Sequence, residues 1–523
     1  MASNIRSDDL FNASTWLVDR HVDDGRGDQV AIRCLGASVT YRDLRDLIER
    51  TAGALRAVGV QPEQRVAMVM LDSVEFVATF LGAMRIGAVP LAVNPLLPGR
   101  DLGAIAGDAR ARIVVVSGDR AASIADLVAA APEVELVVVT DTEDGSTPDV
   151  EIDADGVDTT TWFALLSNDG DGSPFSTWSE SPGFWLCTSG STGQPKLAMH
   201  RHIDIKVTCD TFADHVLGVR PDDRFYSVGP MFHAYGLGNS ISFPFSVGAT
   251  TILVPTRPPT PKLVVDTMAA EAPTLFFCIP TFYAALNNAG VPADAFASVR
   301  LAASAAEPLP AETFERFREQ FGVTILDGIG STEMLHIYLS NSEADLRPGT
   351  SGVPVPGYEL KLIDDNGDVQ VPGEPGQLCV SGASAATGYW CRFEQSRATF
   401  RGPWMYTGDL YDRSEDGFYT YMGRVDDMLR VGGEWVSPAE VEGVLIQYET
   451  VLEAAVVGER DEAGILRPIA FVIPVDGKTV GSDELDRLCR EHLAGYKRPK
   501  RYEIVADLPK TATGKIQRFK LRA

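Results

Sequence analysis

From Arg65 to Phe321 short apolar runs alternate with helical patterns, and no other feature limits the fold as strongly. Arg65–Met70 reads as a strand, Ser73–Ile86 as a helix stopped by Gly87, and Leu91–Val93 and Arg112–Val116 as further strands. Upstream, residues 39–60 carry Leu44, Leu47, Ile48, Ala52 and Leu55 at helical spacing, with Thr40 placed to cap and Gly59 to terminate. The alternation resumes as strand Thr250–Val254, helix Pro261–Glu271, strand Thr274–Ile279, helix Thr281–Asn288, strand Val299–Ala303 and helix Glu312–Phe321. Strands of this length joined by helices pair in parallel, because each crossover returns the chain to the same end of the sheet.

Elsewhere the rhythm changes. Residues 145–182 are rich in Asp, Ser, Thr and Gly and read as a polar excursion. From about 350, Val369–Val371, Gly376–Val380 and Gly417–Tyr421 suggest short antiparallel strands with glycine turns. After Arg424 come a helix Pro438–Tyr448, strands Val451–Val457 and Pro468–Ile473, and an amphipathic helix Ser482–Leu493 with Ser482 as its cap. The expected fold class is α/β. A large N-terminal domain, 1–425, has βαβ sheets and a small β-barrel-like part, and a small α+β domain, 426–523, follows.

The net charge of −26 argues against nucleic acid and anionic membranes as partners, so an anionic ligand needs a local basic site. Seven cysteines form no C-x-x-C pair and read as reduced thiols of a cytoplasmic protein. The histidines show no metal-ligand spacing, and His200 and His202 are expected at the surface. The N-terminus has no apolar signal core, and Gly82, Arg85, Gly87 and Pro90 interrupt the most apolar long window, Phe76–Leu97.

Several loops carry chemistry. In Thr188–Lys196, Gly190 and Gly193 allow a tight turn, Thr188, Ser189, Ser191 and Thr192 supply hydroxyls, and Lys196 supplies a charge. That equipment suits phosphate, although the spacing is not that of a G-x-x-x-x-G-K-[ST] loop. Composition alone weighs it equally against a surface turn. Asp327–Glu333 is a second glycine and hydroxyl loop. Thr332 suits phosphate and Glu333 suits Mg²⁺, against a plain helix start capped by Ser331 or Thr332. Tyr406-Thr-Gly-Asp409 offers a carboxylate for ribose hydroxyls, Gly423-Arg424 a cation, and Pro509–Lys515 a lysine after a glycine. Singly, each is a weak signal against the plainer readings, a surface turn with an ion pair worth little and an exposed basic tail.

Read in order, the five strings resemble the acyl-adenylate-forming enzymes, which include acyl- and aryl-CoA ligases, luciferases and peptide-synthetase adenylation domains. The likeness runs over nearly the whole chain. It implies a two-step reaction: a carboxylate attacks the α-phosphate of ATP, releasing pyrophosphate, and a thiol then displaces AMP. By the same resemblance, the Thr188–Lys196 loop holds the β- and γ-phosphates, and Glu333 holds Mg²⁺. Ser304, Ala305, Ala306, Glu307, Asp327, Gly328 and Ile329 surround adenine. Asp409 binds ribose, Arg424 lies near ribose or phosphate, and Lys515 bridges the reacting oxygens. The small domain turns about Asp426 between the steps, exchanging Lys515 for Gly432 and Gly433 at the thiol channel.

Ala234–Asn239, Phe243–Ala249, Asp327–Ile337 and Trp435–Pro438 look like the benzoate–CoA ligase branch. This likeness implies an aryl pocket of Ala234, Tyr235, Gly330, His336 and Ile337, with His233 beside it. A flat ring needs an aromatic wall, and Gly330 leaves room for its face. Tyr496, Arg498 and Lys500 resemble a segment gripping the CoA nucleotide, with Trp435 near the thiol channel. The chain departs from the family at Ile329, where many members have tyrosine, at His233, where benzoate ligases often carry an aromatic, and at Trp435, which replaces a basic residue of some relatives. The implied activity is AMP-forming aryl-CoA synthesis from an aromatic acid with ATP, Mg²⁺ and CoA. A carrier protein and a second copy of the chain are further candidate partners. The rivals are an enzyme loading a carrier phosphopantetheine and a non-catalytic acyl-nucleotide binder. The intact set of Lys515, Glu333 and Asp409 counts against the latter.

Overall fold

The computed structural model describes residues 9–143, 145–148, 156–188, 195–364, 366–425, 427–431, 434–461, 466–475, 477–509 and 516–521, with the backbone alone at 434, 435, 439 and 519. Contacts divide the chain into two compact units, Met1–Glu359 with Val380–Met405, and Leu360–Cys379 with Tyr406–Ala523.

The first unit contains two large sheets. In one, strands Asp158–Thr161, Leu136–Val139, Ile113–Val116, Arg65–Val69, Val89–Ala92, Pro182–Thr188 and Lys196–Arg201 lie side by side in that order. All pair in parallel except the last two, which form an antiparallel hairpin. Ile113–Val116 is buried at every position, as expected of a parallel strand covered on both faces. In the other sheet, Ile325–Gly330, Leu301–Ser304, Leu275–Cys278, Arg224–Ser227, Thr250–Leu253 and Val30–Cys34 run parallel, and antiparallel strands close both edges.

The helices follow their sequence signals. Thr40 caps Tyr41–Ala57: its hydroxyl accepts from Asp43 N–H, and the Asp43 carboxylate accepts from Thr40 N–H. Ser73 caps Val74–Arg85 through its hydroxyl alone, which accepts from Phe76 N–H. The polar excursion is not wholly irregular. Asp158–Thr161 is an edge strand whose half-exposed, threonine-rich sequence hides its β character.

In the second unit, the 406–413 stretch pairs antiparallel with Tyr419–Arg424. Val451–Arg460 pairs antiparallel with Leu466–Pro474, which pairs in parallel with Arg501–Ile504. Helices Pro438–Ile446 and Ser482–His492 accompany this sheet. Two expectations need correction. Ser482 is the first helical residue, not the cap. Gly481 holds the cap position, and its N–H donates to the Glu484 carboxylate at 3.1 Å. Val369–Val371 forms no strand. Val369 makes one bridge to Ile363, and with Val369 64% and Val371 58% exposed there is no burial to reward the β preference. No helix among the described residues is long and apolar enough to cross a membrane.

Candidate active site

Thr188 and Lys196 are register partners closing the antiparallel hairpin, so the loop between them joins two strands of one sheet. Ser189, Gly190, Ser191, Thr192 and Gly193 lie outside the described residues, as do Asp426, Gly432, Gly433, Lys515 and the Trp435 side chain.

Ser331 caps a single helical turn, Thr332–Met334, by accepting from Met334 N–H at 3.3 Å. The plainer sequence reading of this cap is therefore right, and Glu333 stands in the first turn. The next residue, Leu335, has φ +67°, a left-handed conformation that costs a non-glycine residue about 1 kcal/mol. Strain of this kind persists where the surroundings hold it, and here the surroundings are specific.

One hold is His200, which is buried, not exposed. Its Nε2 lies 2.7 Å from the Thr332 carbonyl and its Nδ1 3.0 Å from Asp204 Oδ2. Both partners are oxygen acceptors, a carboxylate and a main-chain carbonyl. Arg201 in turn grips Asp204 through its guanidinium. His202 is buried as well. Its Nδ1 accepts from Ala13 N–H at 3.1 Å, and burial pushes the ring down to about 3, so it is neutral at ordinary pH. Alternation along a strand does not reveal such burial, because both histidines find partners far away in sequence.

The other hold is Tyr389, which sequence reasoning missed altogether. Residues 387–390 lie along Lys196–Arg201, with backbone bonds from Thr387 N to Met199 O, Met199 N to Gly388 O and Trp390 N to Leu197 O. The Tyr389 hydroxyl donates to Glu333 Oε1 at 2.6 Å, and Lys196 Nζ sits 4.3 Å from the centre of its ring. Ala386 N–H also donates to the Glu333 carbonyl. The loop lysine and the turn carboxylate thus meet on one phenol. The only signal in sequence was the aromatic pair Tyr389-Trp390 after Gly388. Glu333 is a carboxylate of the kind that could hold Mg²⁺ together with substrate phosphates and water. No group of three or more His, Cys, Asp or Glu that could hold a metal ion occurs among the described residues.

Ser304 and Asp327 are register partners on adjacent parallel strands, both buried. Ser304 Oγ and Asp327 Oδ1 complete no hydrogen bond of normal geometry. Burial pushes the Asp327 carboxyl up to about 8, and the Leu309 amide and nearby Ser304 hydroxyl only partly oppose it. Ala305 is buried, and Ala306 is exposed with φ +76°. Gly328, Ile329 and Glu307 adjoin this edge, and a Cβ at Gly328 would meet Leu339 O at 2.8 Å. Buried polar atoms lacking partners at the end of a parallel sheet suit a ligand rich in donors and acceptors.

The Tyr235 hydroxyl donates to Ala303 O at 3.0 Å, tying its ring to the strand that carries Ser304. Its ring centre is 5.5 Å from that of His336, which also packs against Phe243 at 4.5 Å and Phe212 at 5.1 Å. Burial pushes His336 down to about 3, so it is neutral, and neither ring nitrogen completes a hydrogen bond. Gly330 pairs with Ile337, and a Cβ there would lie 2.5 Å from His336 O. The glycine is thus required by its own hairpin, a firmer reason than space for a ligand. Ala234 is buried at the start of a short helix, and His233 precedes it, its ring 4.5 Å from Phe232.

In the second unit, Asp409 and Arg424 are cross-strand partners joined at 2.8 Å. Arg424 also donates to Thr407 O, and the Thr407 hydroxyl accepts from Asp409 N–H. Gly408, with φ +76°, lets the chain pass beneath Arg424. Tyr496 and Lys500 are exposed. Arg498 is partly committed elsewhere, its Nε donating to Leu493 O at 2.8 Å at the end of helix Ser482–His492.

Known proteins match over nearly the full length. The AMP-binding enzyme family matches residues 18–390, and the AMP-binding enzyme C-terminal domain matches 440–515. A benzoate–CoA ligase of Thauera aromatica is 42% identical, covering 99% of this chain and 97% of that protein. The crystal structure of a benzoate CoA ligase from Burkholderia xenovorans LB400 superposes with a TM-score of 0.87 at 39% identity, covering 98% of this chain and 100% of that one. The anthranilate CoA ligase AuaEII, crystallised with anthranoyl-AMP, gives 0.90 at 37% identity, covering 100% and 98%.

Proposed function

Because the chain belongs to the AMP-binding enzyme family, we propose that it is an AMP-forming aryl-CoA ligase acting on benzoate or a substituted benzoate. The carboxylate attacks the α-phosphate of ATP, the bond to the bridging oxygen breaks, and pyrophosphate leaves. The CoA thiol then attacks the aryl carbonyl, loses its proton and expels AMP. Activation is needed because a carboxylate is a poor acyl donor, whereas a mixed anhydride has a good leaving group.

The observation that carries this reading is the meeting of Lys196 and Glu333 on Tyr389, in the same unit as the Tyr235–His336 aromatic cluster and the Ser304–Asp327 pair. Phosphate, flat ring and base each have matching chemistry there. We assign the pyrophosphate-leaving side to Thr188, Lys196 and the intervening loop. Adenine goes to Ser304–Glu307 and Asp327–Ile329, the ring to His233–Tyr235, Gly330, His336 and Ile337, and ribose to Asp409 with Arg424. Lys515 stabilises charge developing on the reacting oxygens. Mg²⁺ held by Glu333, beside Thr332, would neutralise phosphate charge. Residues 426–523 move as a domain about Asp426 between the two steps. Gly432, Gly433, Trp435, Tyr496, Arg498 and Lys500 serve the thiol substrate, and the cytoplasm, where CoA and ATP are both present, is the setting.

The test is pyrophosphate release across benzoate, hydroxybenzoates, aminobenzoates, naphthoates, cinnamates and fatty acids, followed by capture on CoA or on a carrier protein. Benzoate-type acids and CoA are expected to dominate. A preference for fatty acids would overturn the aryl assignment, and transfer only to a carrier would replace CoA as acceptor.

A further inference from the structure

Tyr389 lies outside the sequence motifs that pointed to function, yet it touches two of the groups those motifs supply. It is 4% exposed, so its ring is fixed by packing, with Phe400 5.6 Å away. Its backbone is pinned by the bridge to Ala198, two residues from Lys196. Its hydroxyl meets Glu333 Oε1 at 2.6 Å, and the face of its ring meets Lys196 Nζ at 4.3 Å. A phenol offers these two interactions in different directions: the O–H donates in the ring plane, and the π face attracts a cation above it.

We propose that Tyr389 is a shared positioning residue, whose hydroxyl orients Glu333 for the metal and whose ring face orients Lys196 for the nucleotide phosphates. This rests on the adenylating reading of the site. Outer-shell hydrogen bonds to a metal-binding carboxylate set its orientation, and losing one typically lowers metal affinity about 10-fold or more. A cation–π contact at a partly exposed site contributes less, about 2- to 5-fold in affinity. The two contributions are separable because one substitution removes the hydroxyl and keeps the ring.

The experiment is calorimetric titration of the full chain with ATP, first in EDTA and then with saturating Mg²⁺, for wild type, Tyr389→Phe and Tyr389→Leu. Unfolding midpoints without ligand report whether each variant is folded. In Tyr389→Phe, ATP binding in EDTA should match wild type, while the tightening brought by Mg²⁺ should shrink about 10-fold. In Tyr389→Leu, both should weaken. If Tyr389→Phe keeps the full Mg²⁺ increment, or weakens ATP binding in EDTA as much as Tyr389→Leu, the shared role is wrong. The phenylalanine variant differs by one oxygen and carries the test even if the leucine variant unfolds. A folded wild type that binds no ATP at all would instead overturn the adenylating reading itself.

Discussion

Asp327 shows how far one residue's setting departs from its sequence. Burial raises its carboxyl from 3.8 to about 8. Below pH 4 it is protonated in folded and unfolded chains alike. Between about 4 and 8 the unfolded chain releases a proton that the folded chain keeps, so the folded state loses relative stability as pH rises. Asp327→Asn removes that loss. Without ligand, the unfolding midpoint of the variant should gain on wild type between pH 5 and pH 8, by at least about 2 °C. A constant difference across that range would contradict the buried, protonated carboxyl. The residues that sequence reading found are those in contiguous strings, such as Asp327 to Glu333. Those it missed act across long separations. His200 reaches Thr332 over 132 residues, and Tyr389 reaches Glu333 over 56. Neither sits in a recurrent pattern, and their partners exist only in the folded chain.

At the scale of elements, the hairpin carrying Asp409 and Arg424 depends on Gly408. Its φ is +76°, and a Cβ there would lie 2.6 Å from Arg424 Nη2. Gly408→Ala must either strain the backbone or displace the guanidinium from Asp409. Urea unfolding should lose about 1–2 kcal/mol. KM for ATP should rise while KM for benzoate stays unchanged. A rise in both would mean that the hairpin supports more than the nucleotide. Helices were legible wherever a cap and an apolar stripe coincide, as at Thr40 and Ser73. Strands were legible where buried on both faces. Asp158–Thr161 was not, because an edge strand with no fully buried position lacks the apolar run, and Val369–Val371 misled, because valine favours a strand only when packing rewards it.

Over the whole molecule, the parallel sheets follow from alternation alone, whereas the division into units does not. Contacts place residues 360–379 and 406–425 with the C-terminal part, while the local pattern changes after Arg424. A sequence signal marks where local pattern changes, and contacts mark where packing does. With a balance of −26, anion binding needs local basic groups; Lys196 belongs to the first unit and Arg424 to the second. Because carboxylate attack on the α-phosphate moves an oxygen from acid to nucleotide, the chemistry leaves a mark in its products. The direct measurement supplies benzoate labelled with ¹⁸O at both carboxylate oxygens, with ATP, Mg²⁺ and CoA, and weighs the products by mass spectrometry. The predicted result is AMP carrying one ¹⁸O and benzoyl-CoA carrying the other. Unlabelled AMP, or ADP as the nucleotide product, would contradict an adenylating ligase.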